Sequence, residues 1–149
     1  MATITFHELA PVPWFRKRRL MKALLIDLFR KERTPLAEIN YILCTDQYLL
    51  EINKQFLQHD DYTDIITFDL TEQPAGPSPA PKQGEIYISV ERVLDNARQL
   101  KTTREEELRR VMIHGCLHLC GYKDKLNEQK RIMREKEDQY LSLYKRRST

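Results

Sequence analysis

The pattern of hydrophobic and polar positions along the chain predicts four strands and five helices. Strands are expected where residues alternate or are rich in β-branched and aromatic types, at 3–6, 38–44, 65–70 and 85–89. Helices are expected where apolar residues recur every three or four positions, at 15–33, 45–56, 90–100, 104–120 and 127–144. Because helices and strands alternate irregularly, the pattern favours an α+β fold with a mixed sheet of roughly four strands.

Residues that commonly start or end helices flank the third and fourth predicted helices. Ser89 can cap the helix at 90–100, and Thr103 followed by Glu106 matches a capping box before 104–120. Gly121 follows where helices often end with a glycine. Residues 73–83 contain four prolines and one glycine, so we expect a flexible loop there.

Length and composition indicate one ordinary domain covering residues 1–149. Hydrophobic residues make up 41% of the chain and charged residues 32%, and a chain of this length buries roughly two thirds of its unfolded surface. No apolar run approaches the ~20 residues that a membrane-spanning helix needs, and the N-terminus lacks the pattern of a secretory signal. We therefore expect a cytoplasmic protein with no membrane partner.

The cysteines do not suggest disulfide bonds. Their number is odd and no secretory signal precedes them, which does not suit a disulfide framework. We expect free, buried thiols at Cys44, Cys116 and Cys120.

The net charge of +3 is too small to indicate a nucleic-acid partner by itself. The basic residues are nevertheless clustered, most densely at Arg16, Lys17, Arg18 and Arg19. Such a run either contacts phosphates or forms a solvated helix face.

The helix predicted at 104–120 carries His114 and His118. Histidines four residues apart lie one turn from each other on the same helix face, where both rings can bind one metal ion at ~2.0–2.1 Å. The helix is apolar nearly all round and should be buried. After Gly121 the chain can turn back and bring Asp124 to the same face as a third ligand. The alternative is a pair of core histidines that hydrogen-bond to the backbone.

Gly115 follows the first histidine. In His-Glu-x-x-His metallopeptidases this position holds the glutamate that acts as general base, so the glycine argues against an ordinary zinc peptidase. It either leaves room for a large substrate beside the ion or allows close helix packing.

At these residues the sequence resembles the YbeY family of bacterial metal-dependent endoribonucleases. The family signature His-Gly-x-Leu-His-Leu-x-Gly-Tyr-Asp-His corresponds to His114-Gly-Cys-Leu-His-Leu-Cys-Gly-Tyr-Lys-Asp124, and nine of the eleven positions agree when the unspecified ones are counted. Upstream, Tyr62-Thr-Asp-Ile-Ile-Thr-Phe68 is similar to Pro-Thr-Asp-Val-Leu-Ser-Phe, and Gly84-Glu-Ile-Tyr-Ile88 to Gly-Asp-Ile-x-Ile. The resemblance covers roughly residues 38–141.

The resemblance implies a small α+β domain with a zincin-like metal helix. The implied activity is single-strand-specific, metal-dependent endoribonuclease cleavage, with Zn²⁺ as the usual ion. The implied role is the maturation of small-subunit ribosomal RNA and ribosome quality control. Single-stranded ribosomal RNA and the ribosomal subunit or its proteins are the implied partners.

Two positions depart from the family pattern. The third histidine of the family falls on Asp124, and a carboxylate there lowers the charge of the site and admits harder ions such as Mn²⁺ beside Zn²⁺. The family commonly has an arginine, which could hold the scissile phosphate, where this chain has Leu57. The candidate replacements are Lys54, Lys123 and Lys125.

The mechanistic hypothesis is metal-assisted cleavage of a phosphodiester bond, in which the ion polarises a phosphate oxygen, activates water, or both. Asp64 and Glu85 lie in the matching motifs near strand ends and are candidate catalytic residues, although each could be a helix cap or a surface carboxylate. His59, in a polar loop, has no predicted role. Salt-dependent RNA contacts are expected from Arg16, Lys17, Arg18, Arg19 and Lys54.

Two other functions remain open from the residues alone. A non-catalytic ribosome-assembly factor with a structural metal is slightly favoured by Leu57. Three protein ligands favour an enzyme, because structural zinc sites usually have four. A metallohydrolase that acts on a small molecule would need a compact pocket, which the sequence neither supports nor excludes.

Overall fold

The computed structural model describes residues 1–57 and 63–149 and contains one four-stranded sheet with helices on both faces. The sheet has the order β1-β2-β4-β3, in which β3 is antiparallel to β4 and the other neighbours are parallel. The predicted α+β class with a mixed sheet is confirmed. The elements in chain order are β1 (Thr3–Glu8), α1 (Arg18–Lys31), β2 (Leu36–Cys44), α2 (Asp46–Leu57), β3 (Ile65–Asp69), β4 (Lys82–Ser89), α3 (Val90–Leu100), α4 (Arg104–Leu119) and α5 (Asn127–Ser148).

Helix α4 packs directly on the middle of the sheet. Tyr41 of β2 and Ile86 of β4 are fully buried beneath it, and the Tyr41 hydroxyl donates a hydrogen bond to the carbonyl oxygen of Met112 at 2.8 Å. A methyl group at Gly115 would lie 2.9 Å from Ile86 Cδ1 and 3.1 Å from Ile65 Cδ1. The glycine therefore permits close packing of helix and sheet, the second of the two alternatives for this position.

On the opposite face of the sheet, α2 packs against β3 and β4. A second apolar cluster forms there around Leu49 and Ile66, and the Tyr48 and Tyr87 rings stack with centroids 6.4 Å apart. Successive residues of a strand point to opposite faces. Ile86 therefore faces α4, whereas Glu85 faces away from it.

The predicted caps at Ser89 and Thr103 and the glycine stop at Gly121 are confirmed, but the predicted capping box is only half formed, because Glu106 Oε2 accepts from the Thr102 hydroxyl at 2.8 Å. Ser89 Oγ accepts from the backbone N–H of Arg92 at 3.2 Å, and Thr103 Oγ1 accepts from that of Glu106 at 3.0 Å. Gly121 follows α4 with a φ of 105°, a conformation in which only glycine is unstrained.

Several predicted boundaries differ from the structure, and the starts of α1 and β4 were each wrong by three residues. Helix α1 begins at Arg18 and not at Phe15, because Lys17 adopts a left-handed conformation with a φ of 56°. Strand β4 begins at Lys82 and not at Glu85, since the Lys82 N–H donates to the carbonyl oxygen of Pro35 at 2.8 Å and the segment pairs with β2. Residues 70–81 contain neither helix nor strand.

Two other expectations concern the thiols and the membrane. All three cysteines are free, but only Cys44 and Cys116 are buried, whereas Cys120 is half-buried. Burial raises the pKa of both buried thiols to about 12, so they have little thiolate at neutral pH. Within the described residues, every helix is too short or too polar to cross a bilayer.

Candidate metal centre and its adjoining cavities

The C-terminal half of α4 and the loop after it bring His114, His118 and Asp124 together. The two Nε2 atoms are 3.0 Å apart, and Asp124 Oδ2 lies 3.1 Å from that of His114 and 3.4 Å from that of His118. One potential ligand atom from each residue lies within 4.8 Å of the other two. The three predicted ligands thus form a group that could hold one metal ion.

The turn at Gly121 returns the chain to the histidine face. The Gly121 N–H donates to the carbonyl oxygen of His118 at 3.0 Å, and the Tyr122 N–H donates to that of Leu117 at 3.1 Å. These bonds satisfy carbonyl groups that the end of a helix otherwise leaves unpaired. The resulting reversal places Asp124 beside histidines from the last two turns of α4.

Each histidine is held through its other ring nitrogen. His114 Nδ1 lies 2.6 Å from Glu137 Oε2, and His118 Nδ1 lies 2.9 Å from the carbonyl oxygen of Tyr122. Both partners accept hydrogen bonds and therefore favour the tautomer with the hydrogen on Nδ1, which leaves each Nε2, the atom nearest Asp124, available as a ligand atom. Metal-binding histidines in proteins are typically oriented by such partners, and the donor set therefore fits a divalent ion.

Glu137 connects the histidine site to α5. It is buried, and Arg110 Nη1 donates to its Oε1 at 2.9 Å. Burial lowers the pKa of His114, but the hydrogen bond and the charge of Glu137 outweigh this effect, so the pKa of His114 is raised. Sequence reasoning missed Glu137, although it lies one turn from both Met133 and Tyr140 on the apolar side of α5.

A second network ties the loop after α4 to its surroundings. The Tyr122 hydroxyl donates to Glu32 Oε1 at 2.6 Å, and Glu32 Oε2 accepts from the Tyr140 hydroxyl and from Lys136 Nζ. Burial raises the pKa of Glu32, but these hydrogen bonds and the Lys136 charge outweigh it, so the pKa is lowered. The backbone segment that orients His118 is thereby joined to α1 and α5.

Two cavities meet at His114. The first, which we call the β3 groove, has a volume of about 880 Å³ and lies along the edge strand β3. The second, the α4–α5 cavity, has a volume of about 390 Å³ and lies between those helices. Three residues line both of them in addition to the strand residue Ile65, namely His114, Asp124 and Asp64.

Asp64 is brought to the histidine site as a candidate catalytic residue. It immediately precedes β3, and Asn96 Nδ2 donates to its Oδ2 at 3.4 Å. Burial raises the pKa of its carboxyl group, partly offset by the charge of His114. Residues 58–62, which include His59 and the Tyr62 of the matching motif, lie outside the described residues.

Glu85, the other candidate catalytic residue, is not brought to this site. Its carboxylate accepts a hydrogen bond from the Tyr87 hydroxyl at 3.1 Å, on the face of the sheet that α4 does not cover. The alternation of β4 explains this position, since Gly84 and Ile86 occupy the face toward α4.

The basic run before α1 also lies away from the histidines. Arg16 and Lys17 line a shallow cavity together with Thr103 and Glu105, at the N-terminal end of α4. Ten residues of helix separate Arg104 from His114, which corresponds to roughly 15 Å along the axis. Two residues of the run also make contacts within the fold. Arg18 pairs with Glu8 at 3.2 Å, and Lys17 donates to the carbonyl oxygen of Ser148. Arg19 lies in the first turn of α1.

The β3 groove holds the position at which the family commonly has an arginine. Leu57 lines the groove and is 42% exposed, so an uncharged side chain occupies this place. Of the three candidate lysines, Lys125 lines the groove, whereas Lys54 and Lys123 are exposed outside its lining.

The fold and the site together suit a hydrolase that could use a metal ion. A buried helix presents two histidines one turn apart, a carboxylate lies beside them, and a groove passes along this group. The sequence model of a protein family described as endoribonuclease YbeY matches residues 5–145 of this chain. The chain belongs to this family.

Individual relatives agree with this assignment. The chain is 48% identical to endoribonuclease YbeY of Cytophaga hutchinsonii over 96% of each sequence, and 55% identical to that of Flavobacterium psychrophilum over 72% of each. Among solved structures, the solution structure of TM1509 from Thermotoga maritima matches with a TM-score of 0.63 and 31% identity. That match covers 95% of this chain and 89% of the other.

Proposed function

We propose that this protein is a single-strand-specific, metal-dependent endoribonuclease that acts in small-subunit ribosomal RNA maturation and in ribosome quality control. Its family makes it an RNA-cleaving hydrolase. The proposal that the activity depends on a metal rests on the orientation of the two histidines. Both Nδ1 atoms lie beside hydrogen-bond acceptors, and both Nε2 atoms face Asp124.

One divalent ion, most suitably Zn²⁺, would be held by His114 Nε2, His118 Nε2 and Asp124 Oδ2. When bound, such an ion supplies Lewis-acid polarisation of a phosphodiester oxygen and a lowered pKa of water. Two imidazoles and one carboxylate are a known ligand set of catalytic zinc enzymes. Three protein ligands favour catalysis over a purely structural role, because structural zinc sites usually have four.

The side chains around the ion divide the remaining tasks. Asp64 would carry a proton at its carboxyl group, because it lines the groove beside His114 and burial raises its pKa. Lys125 would contact phosphate in place of the missing arginine. Glu85 has no part in this proposal, because it lies on the other face of the sheet.

A long, single-stranded polymer suits the β3 groove better than a small molecule does. The groove is more than twice as large as the α4–α5 cavity and follows the edge strand. Outside it, salt-dependent contacts to ribosomal RNA would come from Arg16, Lys17, Arg18, Arg19 and Lys54. The partner would be the ribosomal subunit or its proteins, in the cytoplasm.

The test combines metal content with RNA cleavage. Protein purified without a metal-affinity tag is analysed for metal, and a single-stranded ribosomal RNA fragment is used as substrate. We expect near-stoichiometric metal in the wild type and a loss of metal and cleavage in His114→Ala, His118→Ala and Asp124→Ala. His7→Ala is the matched control, because His7 is an exposed histidine of β1.

The outcomes separate the proposal from its rivals. Full metal content in Asp124→Ala would remove the third ligand from the proposal. If the wild type binds metal but does not cleave RNA, and the variants lose the metal, the non-catalytic assembly factor is favoured. Leu57 is the observation in favour of that second function, since an uncharged side chain lines the groove where the family resemblance implies an arginine that could hold the phosphate.

A further inference from the structure

The α4–α5 cavity contains a buried carboxyl group that the proposed mechanism does not use. Glu107 lies in the first turn of α4 and is 4% exposed. Its Oε1 atom has no hydrogen-bond partner among the residues that the structure describes. Buried polar atoms in proteins are nearly always paired, and an unpaired one destabilises the fold. The site therefore holds an acceptor that a ligand could satisfy.

Glu107 can be reached from the metal centre. It lines the α4–α5 cavity together with His114 and Asp124, and it lies two helical turns before His114, on the same face of α4. The cavity volume of about 390 Å³ falls at the lower end of the range found for small-molecule sites, ~300–1,000 Å³. A group attached to a chain at the metal centre could therefore enter the cavity.

The charges around the cavity suit one nucleotide. Lys130 and Arg134 also line it, and Arg134 is 55% exposed in its side chain, so two cations border the site where a phosphate would lie. Arg110 is engaged with Glu137 and Asp138 at 2.9 and 2.8 Å. Glu107 thus remains the acceptor that could pair with hydrogen-bond donors of a base.

We propose that the α4–α5 cavity is a nucleobase subsite in which Glu107 accepts a hydrogen bond from the exocyclic amino group of a base next to the cleaved phosphate. The subsite rests on the proposed function in so far as that function places RNA at the metal centre. Adenine, cytosine and guanine carry an exocyclic amino group, whereas uracil does not. The subsite therefore discriminates against uracil.

The protonation state of Glu107 is compatible with this role. Burial raises the pKa of its carboxyl group to about 7, with a contribution from the charge of Asp64. A carboxylate accepts hydrogen bonds at both oxygens, and a protonated carboxyl group still accepts at one. An amino group of the base finds an acceptor in either state.

The experiment measures binding of the four nucleoside 5′-monophosphates to the full-length protein by NMR titration, with the metal content held constant. We expect AMP, CMP and GMP to bind about tenfold more tightly than UMP, because the first three satisfy a buried acceptor that UMP leaves unpaired. Glu107→Gln should remove most of this preference, since the amide presents a donor to the uracil carbonyl as well as an acceptor. Glu105→Gln, in the same helical turn but outside the cavity lining, should retain it.

Equal affinities for the four nucleotides, no binding of any of them, or an unchanged preference in Glu107→Gln would each overturn the subsite. Cleavage of the ribosomal RNA fragment is measured separately. An absence of metal-dependent cleavage would contradict the proposed function without changing the nucleotide affinities, so the two failures are distinguishable.

Discussion

Glu107 and Glu137 are the two carboxylates that are buried in the described part of the chain, and they line the same cavity from α4 and α5. Their exposed fractions are nearly equal, at 4% and 5%. Glu137 is paired on both oxygens, with Arg110 at 2.9 Å and His114 at 2.6 Å. Glu107 has an oxygen without a partner among the described residues, and its pKa is raised to about 7 by burial and by Asp64.

The difference shows that burial alone does not define the task of a carboxylate. A buried charge is tolerated when an opposite charge and hydrogen bonds compensate its lost hydration. Glu137 meets this condition and therefore fixes the orientation of His114. Glu107 meets it only in part, which leaves it free to respond to pH or to a ligand.

The largest expected effect comes from removing the paired carboxylate. Glu137→Ala would leave Arg110 without its buried partner, and breaking such a pair costs about 3–5 kcal/mol in free energy of unfolding. Metal affinity should fall about 10–100-fold, because His114 loses the acceptor that orients it. Denaturant unfolding and metal titration measure the two effects. Glu137→Gln, which keeps an acceptor, should lie between wild type and Glu137→Ala.

The control for this prediction is Glu135→Ala, which removes an exposed carboxylate on the same helix. The Glu135 side chain is 65% exposed and pairs with Arg131, and exposed ion pairs contribute less than about 1 kcal/mol. Equal stability losses in Glu137→Ala and Glu135→Ala would show that the burial and pairing of Glu137 have no special role.

The next effect concerns the unpaired carboxyl group and depends on pH. The pKa of Glu107 is higher in the folded protein, at about 7, than the usual value of 4.5. The folded state therefore binds a proton more tightly, so the stability that protonation gives is complete below pH 4.5 and is lost as the pH rises to about 7. Glu107→Gln removes this dependence and should stabilise the protein more at pH 8 than at pH 5.

The pKa shift sets an upper limit of about 3 kcal/mol on this gain. Because Glu107 is not completely shielded from solvent charge screening, the expected gain is smaller, about 1–2 kcal/mol at pH 8. The groups that face Glu107 are Asp64, Arg110, Arg134 and Glu137, and they are unchanged in the variant. Urea unfolding of wild type and Glu107→Gln at pH 5, 6, 7 and 8 measures the difference. A constant difference across these pH values would contradict the raised pKa.

The smallest effect comes from the neighbour that couples to Glu107. The charge of Asp64 contributes to the raised pKa of Glu107, so Asp64→Asn should lower that pKa by less than one unit, equivalent to less than about 1.4 kcal/mol. The pH range in which stability is lost should move downward accordingly. NMR titration of the Glu107 side chain follows this change. An unchanged titration midpoint would mean that burial alone sets the pKa.

The site was predictable where its parts are close in sequence. His114 and His118 share a face because of helical geometry, and Gly121 permits the turn that returns Asp124 within six residues of His118. The caps at Ser89 and Thr103 were equally local. The start of α1 was not predictable, because the residue type at Lys17 does not indicate its left-handed backbone conformation.

The partners of the site required the packed structure. Glu137 lies 23 residues after His114, on a helix in which charged residues occupy most positions. Its spacing from Met133 and Tyr140 was a signal that one acidic residue of α5 faces inward. The same period places Glu107 in line with Val111 and His114. The helical pattern could have identified both carboxylates as buried, but only tertiary packing determines that one meets Arg110 and the other does not.

The contact between Gly115 and the sheet also limits how this protein could change its chemistry during evolution. The glutamate of His-Glu-x-x-His peptidases would need a whole side chain where one added methyl group already lies within 3.1 Å of two isoleucines. Accommodating the glutamate would require α4 to move away from the sheet and would increase the distance between helix and sheet that Gly115 permits. A one-step mutational route from this site to a peptidase is therefore closed, whereas Leu57, half-exposed in the groove, can be exchanged without such a barrier.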